Sequence, residues 1–376
     1  MKQARQRGKH LMARIDDRTR EALAWLRFVL NPEAAMPVVT DWKALSAFAE
    51  KQSLVGICMP FQCAERLEKE QLFQWYGLCQ RIEYRNKLLN KRTGQLFGML
   101  EEAGFSCCLL KGQGNAMLYP NPLMRCAGDI DVWVDADDEA VFQYVKKLFP
   151  DVEATYKHIH FPVFEDASVD IHSVPLKFRC HAFEKRLREW IEQHKGEQFG
   201  NKIKLPDEER EVCVPTSRFN AIYQLGHMLI HLYDEGVGLR QVVDYFYVLK
   251  HLDISEEERS GLGNTLQSLG LLRFAQAIMW IECNVLGLSA DRCFVTPDVR
   301  FGRKLVFDIL EGGNFGYYSQ RYKGRNGYYQ RRFVNAWRVL MLLRIAPREG
   351  IARLLGKMGT GFRLLFKGLF NKCSHR

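Results

Sequence analysis

No run of this chain reaches the roughly 18 uninterrupted apolar residues that a membrane-spanning helix needs. The best stretch, 271–288, is broken by Arg273 and Glu282. The N-terminus starts basic but has no signal-peptide apolar region before Asp16 and Asp17. The 11 cysteines are scattered, with no C-x-x-C and no paired clusters. Neither a structural zinc site nor a disulfide framework is expected, and reduced, mostly buried thiols in the cytoplasm are the plain reading. Net positive charge is missing from most of the chain. Residues 321–376 hold 14 Lys/Arg and one acid, Glu349, and so carry +13, while the remaining 320 residues hold 40 basic and 43 acidic residues. The basicity belongs to the C-terminal tail, and the rest offers no charge argument for nucleic acid.

What is present is enough for a sizeable core, with 47% hydrophobic residues over 376 positions. Residues 17–104 read as helical: Asp16/Asp17 and Thr40/Asp41 are N-caps, and 66–103 is a long amphipathic helix or a helical pair ending at Gly104. The character then changes. β-prone runs occur at 105–110, 129–134, 158–164 and 168–174, with a helix expected at 137–148. Residues 181–194 form another helix, and 216–290 are helical with a break at Gly236–Gly238. The expected architecture is α+β, a small mixed-sheet core at 105–214 between an N-terminal helical region (1–104) and a helical domain (215–300), followed by a basic amphipathic tail (301–376).

The most informative segment is Asp129-Ile130-Asp131. On a strand, residues i and i+2 share a face. The two carboxylates therefore converge, with Ile130 and Val132 facing a core. Aspartate is depleted in strands, and two in one strand repel each other unless a cation offsets them. Paired oxygen ligands beside a glycine turn suit Mg²⁺ and a nucleoside triphosphate. A third carboxylate, Asp170, sits alone in the β run Ser168-Val169-Asp170-Ile171-His172 and completes a two-metal clamp. A turn at Glu165–Ala167 would set Pro162 opposite Asp170 and His160 opposite His172, with His158, His160, Asp170 and His172 on one face. The turn Lys111-Gly112-Gln113-Gly114 follows the first β run. Gly112 and Gly114 let backbone N–H groups approach phosphate oxygens, and Lys111 and Arg125 are phosphate partners or ordinary surface cations.

Residues 105–173 resemble the poorly characterised nucleotidyltransferase family of the polymerase-β-like superfamily. The resemblance rests on Leu110-Lys111-Gly112, Tyr119-Pro120, Arg125, Gly128 to Asp131, and Asp170 to His172 in that order. It extends to the flanking helices, covering residues 40–290. It implies a Mg²⁺-dependent transferase in which Asp129, Asp131 and Asp170 hold metal, two ions by the superfamily's pattern, with Gly128 and His172 in the nucleotide site and an NTP, ATP in the first instance, as substrate. The turn departs from the superfamily's usual Gly-Gly or Gly-Ser, being Gly112-Gln113.

Two further features stand outside that set. His227 and His231 are i, i+4 on a helix and read as a packed or substrate-facing pair rather than zinc ligands. Arg240 and Asp244, at the same spacing, are a surface ion pair or, as similar helices of the family imply, neighbours of the nucleotide. In the tail, apolar positions from 351 to 370 alternate with Arg353, Lys357, Arg363 and Lys367 on the opposite side. Residues 350–372 thus suit an anionic membrane surface, which would make the protein peripheral at the inner membrane, or they dock on the protein's own core. The expected activity is transfer of a nucleoside monophosphate to an unidentified acceptor, nucleic acid not excluded. A catalytically inactive nucleotide-binding or regulatory protein is the alternative.

Overall fold

The computed structural model describes residues 15–152, 158–319, 336 and 338–356. The helical N-terminal region consists of α1 (Asp17–Leu30), α2 (Trp42–Gln52), the single turn α3 (Val55–Cys58) and the long α4 (Lys69–Glu102). Asp16 and Asp41 cap α1 and α2 by accepting from Thr19 N and Ala44 N. The α+β core follows as β1 (Cys107–Leu110), α5 (Gly112–Ala116), β2 (Ile130–Val134), α6 (Asp138–Leu148), β3 (Ile159–His160) and β4 (Val169–His172). Next come α7 (His181–Gly200) and the small hairpin of β5 (Lys202–Lys204) and β6 (Glu211–Cys213), which the sequence reading passes over. The helical part holds α8 (Ser217–Asp234), α9 (Leu239–Lys250), α10 (Glu256–Ser268), α11 (Leu272–Ile281) and α12 (Val299–Gly312). No described helix is long and apolar enough to cross a membrane.

The main sheet runs β1-β2-β4-β3, with β2 and β4 parallel and the outer pairs antiparallel. Its two faces pack on different cores. Cys107, Leu109, Ile130, Val132, Val134, Val169 and Ile171 point into one core with Leu89, Leu96 and Phe97 of α4 and with α6. Cys108, Leu110 and Trp133 point the other way, into a larger core built from the N-terminal helices and α8 to α12. The period-2 alternation of the strands sorts the residues between the cores. It also turns the polar residues of β2 and β4 toward the helical side.

The tail corrects one expectation. The described residues 347–356 are helical, but Arg353 faces the protein rather than solvent. It is buried, pairs with Glu349 and Asp234, and lies 5.0 Å from the Tyr233 ring centroid. Glu349 in turn accepts from the backbone N–H groups of Arg179 and Cys180, while Ile351 and Leu355 are exposed. Buried carboxylate and backbone partners outweigh the amphipathic pattern here. The rest of the proposed membrane segment, from 357 on, lies outside the described residues.

Candidate active site

Asp131 of β2 stands directly opposite Asp170 of β4. Asp129, one residue ahead of β2, completes the group: one carboxylate oxygen from each of the three lies within 4.8 Å of the others. Asp131 is buried, with its Oδ2 2.8 Å from Lys111 Nζ and its Oδ1 2.9 Å from His172 Nε2. Burial alone would raise this carboxyl. Lys111 and His172 outweigh it and hold Asp131 well below the usual carboxylate range. Asp129 is pushed upward, chiefly by the charge of Asp131. The triad thus holds more negative charge than Lys111 offsets, and hard oxygen donors at this spacing fit Mg²⁺.

Lys111 reaches Asp131 because of an uncommon backbone. It sits at φ +51°, ψ −135°, a region that residues with side chains seldom enter, and Gly112 follows at φ +42°. The same ammonium lies 2.9 Å from His227 Nε2 on α8. A lysine ammonium only donates, so His227 accepts there. Burial, Lys111 and His231 push the His227 pKa well below that of free imidazole, which keeps it neutral. His231 Nε2 lies 3.1 Å from His227 Nε2. The two histidines thus lead away from Lys111 as a packed pair.

The remaining residues of the turn divide. Gly112 lines the cleft, whereas Gly114 does not. A Cβ on Gly114 would come within 3.1 Å of Val214 Cγ1, so this glycine serves close packing behind the turn. Gln113 also points away from the cleft: its Nε2 donates to Asn90 Oδ1 at 2.6 Å and to Asn86 Oδ1 at 3.1 Å, tying the turn to α4. Its side chain therefore fills a position that a second glycine would leave open.

The expected hairpin register is off by two residues. His160 pairs with Asp170, not with His172, and Ile159 pairs with Ile171. Pro162 has no N–H to give to a ladder, and the connection to β4 is correspondingly long. A two-residue shift preserves the face. His160 Nδ1 and His158 Nε2 therefore still approach Asp170, at 3.3 and 3.7 Å.

Arg240 and Asp244 are not a surface pair; both are buried. Asp244 instead accepts from Arg125 Nε and Nη2, each at 2.7 Å, and from the Tyr119 hydroxyl at 2.5 Å. Arg240 Nη1 donates to the Cys126 carbonyl at 2.9 Å, and burial followed by the charge of Arg125 lowers its pKa. Arg125 Nη1, Arg240 Nε and Gln241 Nε2 are buried without a hydrogen-bond partner among the described residues. All three residues line one cleft with Lys111, Gly128, Asp129, Asp131 and Asp244. Buried polar atoms are nearly always paired, and these three are all donors. They suit a ligand rich in acceptor oxygens. His172 and Asp170 are not on the cleft wall itself but flank it through Asp131.

The cleft has about 510 Å³ of space, open solvent at its mouth included. Its lining adds residues that sequence reasoning missed: Asn115, Gln224, Met228, Gln241 and Phe315. The amides carry no motif. For Phe315 the Gly312-Gly313 and Gly316 that surround it were the available signal.

A family model described as "Uncharacterised nucleotidyltransferase" matches residues 39–286, more than half of the chain. A solved nucleotidyltransferase-like antigenic protein from Paracoccidioides brasiliensis is similar at 12% identity and a TM-score of 0.30. The match covers 48% of this chain and 87% of that one. No curated protein matches.

Proposed function

The chain belongs to the uncharacterised nucleotidyltransferase family, and from that premise we propose that it moves a nucleoside monophosphate from a nucleoside triphosphate to an acceptor, releasing pyrophosphate. ATP is the first candidate donor. The observation that carries this reading is the pairing of a three-carboxylate cluster with a cleft wall whose unpaired buried atoms are all donors. One end suits a divalent cation and the other suits phosphate.

In this reading Asp129, Asp131 and Asp170 hold Mg²⁺. When bound, Mg²⁺ supplies charge neutralisation at the phosphates and at the leaving pyrophosphate. Lys111, Arg125 Nη1 and Arg240 Nε grip phosphate oxygens, and Gly112 and Gly128 let backbone approach them. His172 keeps Asp131 ionised and oriented. Asp170, flanked by His158 and His160, takes the proton of the attacking acceptor group. Asp244 positions Arg125. The preorganised charges lower the barrier because they need no rearrangement as the transition state forms. A cytoplasmic location goes with this reading, since the cysteines are spaced neither as a disulfide framework nor as a metal site.

The test is incubation with each α-labelled triphosphate, Mg²⁺ and cell extract, followed by identification of what becomes labelled. Asp129→Asn/Asp131→Asn serves as the control that should abolish labelling. A second reading has one observation in its favour: Lys111 already supplies a cation to Asp131, as in a nucleotide-binding protein without turnover. Tight Mg²⁺-ATP binding with no pyrophosphate release from any extract would favour it.

A further inference from the structure

The nucleotide reading leaves one wall of the cleft unexplained. Between α12 and residue 317 the chain makes a tight turn in which Gly313, Phe315 and Gly316 have φ +66°, +50° and +69°. Phenylalanine seldom adopts such a conformation, and a bulky residue there is strained. The turn lies against the break between α8 and α9, backbone on backbone. A Cβ on Gly236 would come within 2.8 Å of Gly316, and one on Gly238 within 2.7 Å of Asn314 Cα. Gly236 itself has φ +143°. Glycines on both sides thus seat the turn, and the seat delivers Phe315 to the cleft. Its ring centroid is 5.3 Å from the Arg240 guanidinium carbon, which lies over it, and 5.0 Å from the His231 ring. Phe315 is partly buried. With Met228 it supplies the apolar side chains of a cleft wall that is otherwise polar or glycine.

Resting on the nucleotidyltransferase reading, we propose that Phe315 is the nucleobase-stacking residue of this site. Strain of this kind is kept where the ring has work at a site. Arg240 lies over one face of the ring, so a base would stack on the other, in a cleft that Met228 also lines. Gln241 supplies orientation. Its Oε1 accepts from Gly238 N at 3.0 Å, which fixes the amide so that the buried, unpaired Nε2 donates to an acceptor on the base or its sugar. Phe315 lies outside the segment matched by the family, 39–286, while Gln241 and Met228 lie inside it.

The experiment compares Mg²⁺-NTP with Mg²⁺-tripolyphosphate, which lacks base and sugar, by calorimetry on the full chain. Phe315→Asn removes the ring while tolerating the positive φ, and Phe315→Trp keeps an aromatic face. The expected result is about tenfold weaker NTP binding for Phe315→Asn, unchanged tripolyphosphate binding, and recovery in Phe315→Trp. Unchanged NTP binding in Phe315→Asn would overturn the proposal. So would an equal loss for both ligands, since the ring would then shape the phosphate site or the fold. A wild-type protein that binds tripolyphosphate as tightly as NTP would also overturn it while leaving the phosphate site standing. Wild-type protein that binds neither ligand would overturn the nucleotide reading and the proposal with it.

Discussion

Removing the carboxylate of Asp244 should be among the most damaging single changes outside the three-carboxylate cluster. Asp244 answers Arg125 through two bonds of 2.7 Å and Tyr119 through one of 2.5 Å, with 5% and 7% of the Arg125 and Asp244 side chains exposed. Asp244→Ala leaves the Arg125 guanidinium buried and unanswered, beside the equally buried Arg240. Two unit charges about 4 Å apart at an effective dielectric near 20 interact by about 4 kcal/mol. That agrees with the roughly 3–5 kcal/mol usually lost when one partner of a buried pair is removed. At about 1.3 °C per kcal/mol for a chain of this size, the melting temperature should fall by about 4–6 °C. Urea unfolding at neutral pH measures the loss directly. The double variant Arg125→Met/Asp244→Leu should recover much of it, because no charge is then left stranded. A loss below about 1 kcal/mol for Asp244→Ala would mean that water reaches Arg125 and that the pair is not the closed unit described. A double variant as unstable as the single one would show that packing, not charge, sets the cost.

Three other outcomes are expected. Without divalent cations, Asp129→Asn should melt higher than wild type at neutral pH, with the gain fading as pH falls to the unfolded carboxylate pKa near 3.9, because the folded state raises this carboxyl and its ionisation opposes folding. Mg²⁺ should stabilise the wild type more than the variant, and an unchanged Mg²⁺ response would remove Asp129 from the proposed metal site. The Lys111–Asp131 contact has the opposite sign. The folded state depresses Asp131, so its stabilisation is complete above the unfolded carboxylate pKa near 3.9 and is lost as pH falls below it. The stability deficit of Lys111→Met, read by unfolding from pH 7 to 3, should therefore shrink at the acid end. A chain ended at Pro347 should unfold earlier than the full chain, since Glu349 and Arg353 bind the Arg179–Cys180 backbone and Asp234; identical melting curves would return the tail to the status of a free appendage.

The elements with a clean period were legible in the sequence. The spacing of Asp129 and Asp131, the lone Asp170 and the apolar residues between them place three carboxylates on one sheet face, where they lie within 4.8 Å of one another. The helix expected at 137–148 and the break at Gly236–Gly238 stand at 138–148 and between α8 and α9. Partnership across long sequence distance was not legible. The sequence aligns Arg240 with Asp244 on one helix, but Asp244 takes Arg125, 119 residues away. Tertiary pairing chose the bidentate geometry over the local one. The register error near Pro162 arises because a turn was fixed by length when a missing N–H ends the ladder earlier. Arg353 fell on the wrong side because helical periodicity locates apolar faces and cannot foresee a buried acid such as Glu349.

The length of α4 has a mechanical meaning. Its 34 residues make a rod of about 51 Å. Trp75 and Cys79 near one end belong to the helical core, and Leu89 to Leu100 near the other belong to the core beneath the sheet. Between them Asn86 Nδ2 donates to the Leu123 and Arg125 carbonyls, and Asn86 and Asn90 take the amide of Gln113. The beam therefore grips the loop that carries Arg125 and the lysine turn at its midpoint. A jaw that opened by swinging one core from the other would have to bend this beam or slide it past both anchors. The frame thus fixes the spacing between Lys111 and Arg125 that the cleft presents to a ligand.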